Sequence, residues 1–186
     1  MALTYSTMLP LGTKLIDFSL LNTINNSLFS TSQIISNKPV LIMIICNHCP
    51  YVIHYHDEFK RLHNDYSSLI SFLAISSNDA DNYPEDSPNK MKELWDQLGF
   101  SFPYLYDESQ EVAKAFQAEC TPEFYLFNND HILAYRGRCD DTTPKSNKPI
   151  SGKDLREALN AVLANETQCK KQHPSMGCNI KWKSVL

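Results

Sequence analysis

Cys46-Asn47-His48-Cys49-Pro50 sets two thiols three residues apart with an imidazole between them, directly after the apolar run Val40-Leu41-Ile42-Met43-Ile44-Ile45. The ionised thiol is the nucleophilic form of cysteine, and a cysteine pair at this spacing reads as a thiol redox site. Pro50 stands where a first helical residue is expected. Cys49 is therefore placed at or beside a helix N-terminus, where the positive end of the peptide dipoles favours a thiolate. A protonated His48 would favour it further, the alternative being a half-exposed imidazole that only packs. Cys46, Cys49 and a histidine such as His48 are also a soft donor set suited to copper or zinc, although only these two cysteines cluster in sequence.

Of the other cysteines at 120, 139, 169 and 178, Cys120 precedes Thr121-Pro122 and Cys178 lies in a tail that could fold back over a sheet. Cys139 and Cys169 read as bystanders, since a free cysteine is a good small core residue. His54 and His56, two apart on a helix, point to different faces and are expected at the surface. Arg136, in Tyr135-Arg136-Gly137, is either an anion or thiolate partner or a solvated strand-end arginine.

The elements that must position these groups follow from apolar spacing. Val40 to Ile45 is a buried strand, continuous rather than alternating, as both-face burial requires. Val52, Tyr55, Phe59, Leu62 and Tyr66 follow at spacings of 3, 4, 3 and 4, one face of a helix. Leu69 to Ile75 is a second strand, ending in a polar loop over residues 76–85. Ser87-Pro88 opens a helix through Met91, Leu94 and Leu98 that stops at Gly99. Asp107 with Gln110 has the form of a capping box for a helix through Val112 and Phe116. Phe124–Phe127 and Ile132–Tyr135 flank the turn residues Asn128-Asn129-Asp130 as a hairpin. Ser151 with Asp154 opens a last helix through Leu155, Leu159 and Val162. Short apolar pieces before residue 30 predict edge strands or a hairpin covering the sheet, and residues 165–186 predict an irregular tail. The resulting order, parallel strands joined by helices and then an antiparallel pair closed by a helix, is a mixed-sheet α/β domain spanning residues 1–186.

The chain has 186 residues, 42% apolar and 20% charged, with a net charge of −4. These values fit one globular domain and argue against a nucleic-acid partner. No apolar stretch reaches the roughly 20 residues of a membrane span, and Met1 to Pro10 lacks a signal-peptide pattern. A cytoplasmic location is expected, in which clustered cysteines serve redox chemistry or metal binding rather than a disulfide framework.

With Cys49-Pro50 after the first central strand and Thr121-Pro122 before the hairpin, the chain resembles the thioredoxin superfamily. Segments such as Ile75-Ser76-Ser77-Asn78, Phe102-Pro103-Tyr104-Leu105-Tyr106-Asp107, Glu111-Val112-Ala113-Lys114-Ala115-Phe116 and Leu11-Gly12 … Asp17-Phe18-Ser19-Leu20 are similar to its peroxiredoxin branch (alkyl hydroperoxide reductase and thiol-specific antioxidant). The tail Pro174-Ser175-Met176-Gly177-Cys178-Asn179-Ile180-Lys181-Trp182 resembles that of uncharacterised peroxiredoxin-like proteins with the same Cys-Asn-His-Cys-Pro motif. The resemblance implies a thioredoxin-like fold, a cis Pro122 against the reactive cysteine, and Cys49 as nucleophile. It also places Val52 at the usual resolving position, Cys46 where a peroxiredoxin has threonine, and Cys120-Thr121-Pro122 where that family has an arginine.

The expected activity is thiol-dependent oxidoreduction, either thiol–disulfide exchange or antioxidant peroxide reduction. Cys49 would attack, and Cys46, Cys120 or Cys178 would resolve. Pro50, Thr121, Pro122 and Arg136 would line the substrate site. This reading needs no cofactor and no metal, and its partners are an external thiol reductant or a disulfide-bearing protein. The competing reading is a copper- or zinc-binding module on the same fold.

Overall fold

The computed structural model describes residues 3–166 and 171–184, so Cys169 lies outside the described residues. Its strands are β1 (Leu3–Tyr5), β2 (Ser19–Asn22), β3 (Ser27–Ser30), β4 (Val40–Ile44), β5 (Ser71–Ser76), β6 (Tyr104–Tyr106), β7 (Cys120–Thr121), β8 (Glu123–Phe127), β9 (Leu133–Gly137) and β10 (Met176–Asn179). The helices are α1 (Pro50–Ile53), α2 (His56–Tyr66), α3 (Pro88–Leu98), α4 (Glu111–Ala115) and α5 (Lys153–Leu163).

A seven-stranded sheet runs β3-β2-β6-β5-β4-β8-β9. β4, β5 and β6 are parallel, and β8, β9, β2 and β3 are added antiparallel. The apolar run of β4 divides between two cores, as a pleat dictates. Leu41 and Met43 face one core with Val52, Phe59, Leu62, Trp95 and Leu159, whereas Val40, Ile42 and Ile44 face the other with Phe18, Leu20, Val112 and Phe116. Helices α1, α2, α3 and α5 thus cover one face, and α4 with the N-terminal segment covers the other.

Four sequence expectations are corrected. The helix after Pro50 is two helices broken at His54-Tyr55: the apolar stripe stays continuous, but the Tyr55 hydroxyl turns to donate to Asp140 Oδ1 at 2.8 Å. Tyr104–Tyr106 is a strand the periodicity does not reveal, because three residues are too few to show a period. Asp107 and Gln110 do not form a capping box. Asp107 accepts from the Ala113 amide and the Ser77 hydroxyl, and Gln110 reaches Ser77 O and Lys181 O. Ser151 does not cap α5, whose N-cap residue is Gly152 with no side-chain cap, whereas β2 and β3 are the expected edge strands, added to the sheet at β6.

The tail is not irregular throughout. β10 is the middle strand of a second, three-stranded sheet, β1-β10-β7, with Cys178 opposite Thr121 on one side and Leu3 on the other. A two-residue strand such as β7 has no sequence signature, so nothing near residue 120 announces a partner for residues 176–179. Gly177 makes the pairing possible: a Cβ there would lie 1.9 Å from Thr121 O.

Candidate active site

β4 ends beneath the site and delivers Cys46, Asn47 and His48 into the turn that precedes α1. Cys49 is the N-cap residue of α1 with Pro50 as its first residue. On the opposite side β7 delivers Thr121, and the Thr121-Pro122 peptide bond is cis, as the resemblance implies. β10 lies over β7 and brings Cys178 to the same point. The five described cysteines are all free thiols and all buried.

Three of them meet around Thr121: Cys49 Sγ lies 3.2 Å from Thr121 O and Cys46 Sγ 3.5 Å from Thr121 Oγ1, with Cys178 paired opposite Thr121 on β10, and both neighbouring thiols act on Cys49. Cys49 is lowered to about 5, chiefly by the hydrogen bond from Cys46 and against the effect of burial, with Cys178 and Thr121 adding to the lowering. Its donors move the other way. Cys46 is raised well above the ordinary thiol range by the bond to Cys49, by burial and by the Asp86 carboxylate, and Cys178 is raised to about 12 by burial and the Cys49 contact. Protonated Cys49 donates to Thr121 O at 3.2 Å. Two S–H donors outweigh that one carbonyl, so the negative charge settles on Cys49. The helix contributes little: α1 is four residues long, and Pro50 supplies no N–H. Neighbouring thiols, rather than the dipole, acidify Cys49.

His48 rests on a group the sequence gives no reason to single out. Its Nδ1 comes 2.7 Å from Oδ2 of the fully buried Asp86, without the alignment of a hydrogen bond. The contact raises the imidazole above its ordinary range despite partial burial. Asp86 also accepts from the Asn47 amide at 2.8 Å and from Asn78 Nδ2 at 2.7 Å. The His48 ring stacks on Tyr83 with centroids 5.8 Å apart. Asp86 escapes a sequence reading because it ends a short 3-10 helix (Pro84–Asp86) far along the chain, where a carboxylate reads as solvated.

The remaining expected residues are placed elsewhere. Cys120 alternates with Thr121 along β7, so its sulfur turns to Glu123 Oε2 at 3.9 Å, and burial with that carboxylate pushes its thiol up. Cys49 lies within electrostatic reach and adds to that rise. Arg136 is not at the site: it donates to Leu9 O at 2.6 Å and to Gln172 Oε1 at 2.8 Å. Arg61, Arg138 and Arg156 likewise hold other partners. Cys139 is a core residue as expected, and His54 and His56 are half-buried rather than fully exposed. The expected metal set of Cys46, Cys49 and a histidine is not the one assembled. Among the described residues the close cluster is Cys46, His48 and Asp86, with donor atoms within 4.8 Å of one another. Pro122 and Met176 line an adjoining cavity of about 290 Å³ together with Tyr5, Tyr55, Asp140 and Thr142.

The chain is similar to a solved structure of an uncharacterized conserved protein from Geobacillus kaustophilus. That protein is 48% identical with a TM-score of 0.96, over 100% of this chain and 99% of that one. A hypothetical protein from Sinorhizobium meliloti is 37% identical with a TM-score of 0.94, over 98% of this chain and all of the other. Peroxidoxin BcpB from Mycobacterium tuberculosis shares the fold at 17% identity and a TM-score of 0.61, over 83% of this chain and 96% of that one. No curated protein matches. The family model described as Redoxin matches residues 10–155. The chain belongs to the Redoxin family and has a thioredoxin-like fold.

Proposed function

We propose that the protein is a thiol-dependent oxidoreductase with Cys49 as its nucleophile. The observation that carries this reading is the placement of Cys49 at the N-cap of α1, 3.2 Å from Thr121 O before the cis Thr121-Pro122 bond, with Cys46 on the same threonine and Cys178 opposite it; the neighbouring thiols lower Cys49 to about 5. At neutral pH such a sulfur is a thiolate, with Cys46 and Cys178 as the neighbouring thiols to resolve it. Redoxin membership and a fold shared with peroxidoxins support it.

In thiol–disulfide exchange the Cys49 thiolate attacks one sulfur of a substrate disulfide. A Cys49–substrate disulfide forms, the substrate S–S bond breaks, and the leaving thiolate takes up a proton. Cys46 or Cys178 then loses its proton and attacks Cys49 Sγ, which closes an internal disulfide and releases the second substrate sulfur as a thiol. An external thiol reductant restores the starting state. Thr121 and Pro122 present the backbone edge against which the incoming sulfur lies. Arg136, the expected anion partner, is held by Leu9 O and Gln172 away from the site, whereas Arg138, paired through Nε with Asp154, lines the adjoining cavity beside Pro122, so disulfide exchange and peroxide reduction are separated by assay with each substrate. Cys49 has no exposed surface, so substrate enters as β10 yields, from the side of the cavity bordered by Met176.

The test is a disulfide map by mass spectrometry after treatment with an oxidised dithiol, with free thiols alkylated. A Cys49–Cys46 or Cys49–Cys178 bridge is expected. A Cys49 that stays an unmodified thiol under excess disulfide would overturn the reading.

A further inference from the structure

We propose that Cys46, His48 and Asp86 form a binding site for a thiophilic divalent cation, with zinc as the best match, beside the redox thiols rather than through the nucleophile. One atom from each residue lies within 4.8 Å of the others. Thiolate, imidazole and carboxylate are the three ligand types zinc accepts, and three protein ligands with an open fourth position form a known kind of zinc site. Ligand atoms on a tetrahedron with bonds of about 2.0–2.3 Å sit roughly 3.3–3.8 Å apart, so the cluster closes with a shift of about 1 Å. Cys46 draws in while His48 and Asp86, now 2.7 Å apart, open slightly.

The surroundings are those of a supported site. Asn47 N and Asn78 Nδ2 fix the Asp86 carboxylate, and the Tyr83 ring fixes the plane of His48. Outer partners of this kind orient metal ligands. His48 Nδ1 is buried and lacks an aligned hydrogen-bond partner. Cys46 and Asp86 are buried while His48 is half-buried, which gives an ion a path from solvent. Cys49 is not among the clustered donors.

Binding Zn²⁺ forms a Zn–S bond and releases the Cys46 proton to solvent, together with the imidazole proton if His48 is charged. It therefore removes the S–H that donates to Cys49 and takes Cys46 out of disulfide formation. This coupling rests on the redox role of Cys49, whereas the metal site does not.

The experiment titrates reduced protein with zinc sulfate against a chromogenic chelator, with native mass spectrometry for stoichiometry and cadmium to report a metal–thiolate absorption band. One zinc per chain is expected. Cys46→Ser and His48→Gln should each weaken binding by about tenfold or more, and Cys46→Ser should abolish the cadmium band. Cys49→Ser and Cys139→Ser should keep both. Asp86→Asn removes a buried carboxylate that also holds Asn47 and Asn78, so the decision rests on the Cys46 and His48 variants. Absence of stoichiometric zinc from the reduced wild type, or retention of it by Cys46→Ser, overturns the site. Cys49→Ser separates the two readings, since it eliminates disulfide chemistry while leaving zinc bound.

Discussion

If S–H donors set the acidity of Cys49, removing one of them moves its titration upward. Cys46→Ser replaces a donor that is tied to Cys49, to Thr121 and to the field of Asp86. The alkylation rate of Cys49 follows its thiolate fraction, which is present above its pKa and lost below it. For the wild type the midpoint is expected at about 5, with a plateau through neutral pH; in Cys46→Ser the midpoint rises toward the ordinary thiol range and the rate at pH 6 falls. The pH profile of iodoacetamide labelling, resolved by peptide mass, measures both. An unchanged midpoint would assign the acidity to something other than Cys46. Cys49 and Pro50 were legible in the sequence because strand-end position and a helix-opening proline are local, and Thr121 and Pro122 through the family resemblance. Asp86 was not, because its approach to His48 is made by folding that no local pattern encodes; Cys178 was legible only as one of three candidate resolving thiols.

Among the elements, β10 is the least visible in the sequence and the closest to the chemistry. Gly177→Ala places a methyl group 1.9 Å from Thr121 O, a clash with backbone that only strand separation relieves. The expected cost is about 1–3 kcal/mol, read as a Tm lowered by roughly 2–10 °C. Cys178 moves away with the strand, so the Cys49 midpoint rises while its alkylation at pH 9 quickens, because the cover is loosened. Both readouts come from one thermal scan and one labelling series. Long periodic segments such as α2, α3 and α5 were foreseeable. β6, β7 and β10 were not, since two to four residues carry no period and their pairing is decided by what lies across from them.

Across the whole molecule, stability depends on pH through a carboxyl that does no chemistry. Glu123 is fully buried and is raised from 4.5 to about 7, chiefly by burial, against the hydrogen bonds it accepts from the Glu119 amide, the Tyr125 hydroxyl and the Cys120 amide. A carboxyl raised in the native state holds its proton more tightly there than in the unfolded chain. Its contribution is therefore fully present below about 4.5 and is lost as pH rises toward about 7, at about 1.4 kcal/mol per unit. Glu123→Gln removes this slope: the Tm difference between wild type and variant is expected to favour the wild type more at pH 4.5 than at pH 7.5. Equal differences at the two pH values would exclude Glu123 as the source. The α/β class and mixed sheet were foreseeable because the order of strong segments admits few topologies. Among the described residues no helix is long and apolar enough to cross a membrane.

The β1-β10-β7 sheet joins residues 3–5 to residues 176–179 beside Cys49. A ribosome adds about 5–20 residues per second, so Cys46 and Cys49 emerge well before Cys178. Through that interval the nascent chain carries Cys49 without its second donor and without its cover, a thiol of more ordinary acidity. The order of synthesis thus makes full thiol reactivity a late property of each new molecule, gained when the last strand docks.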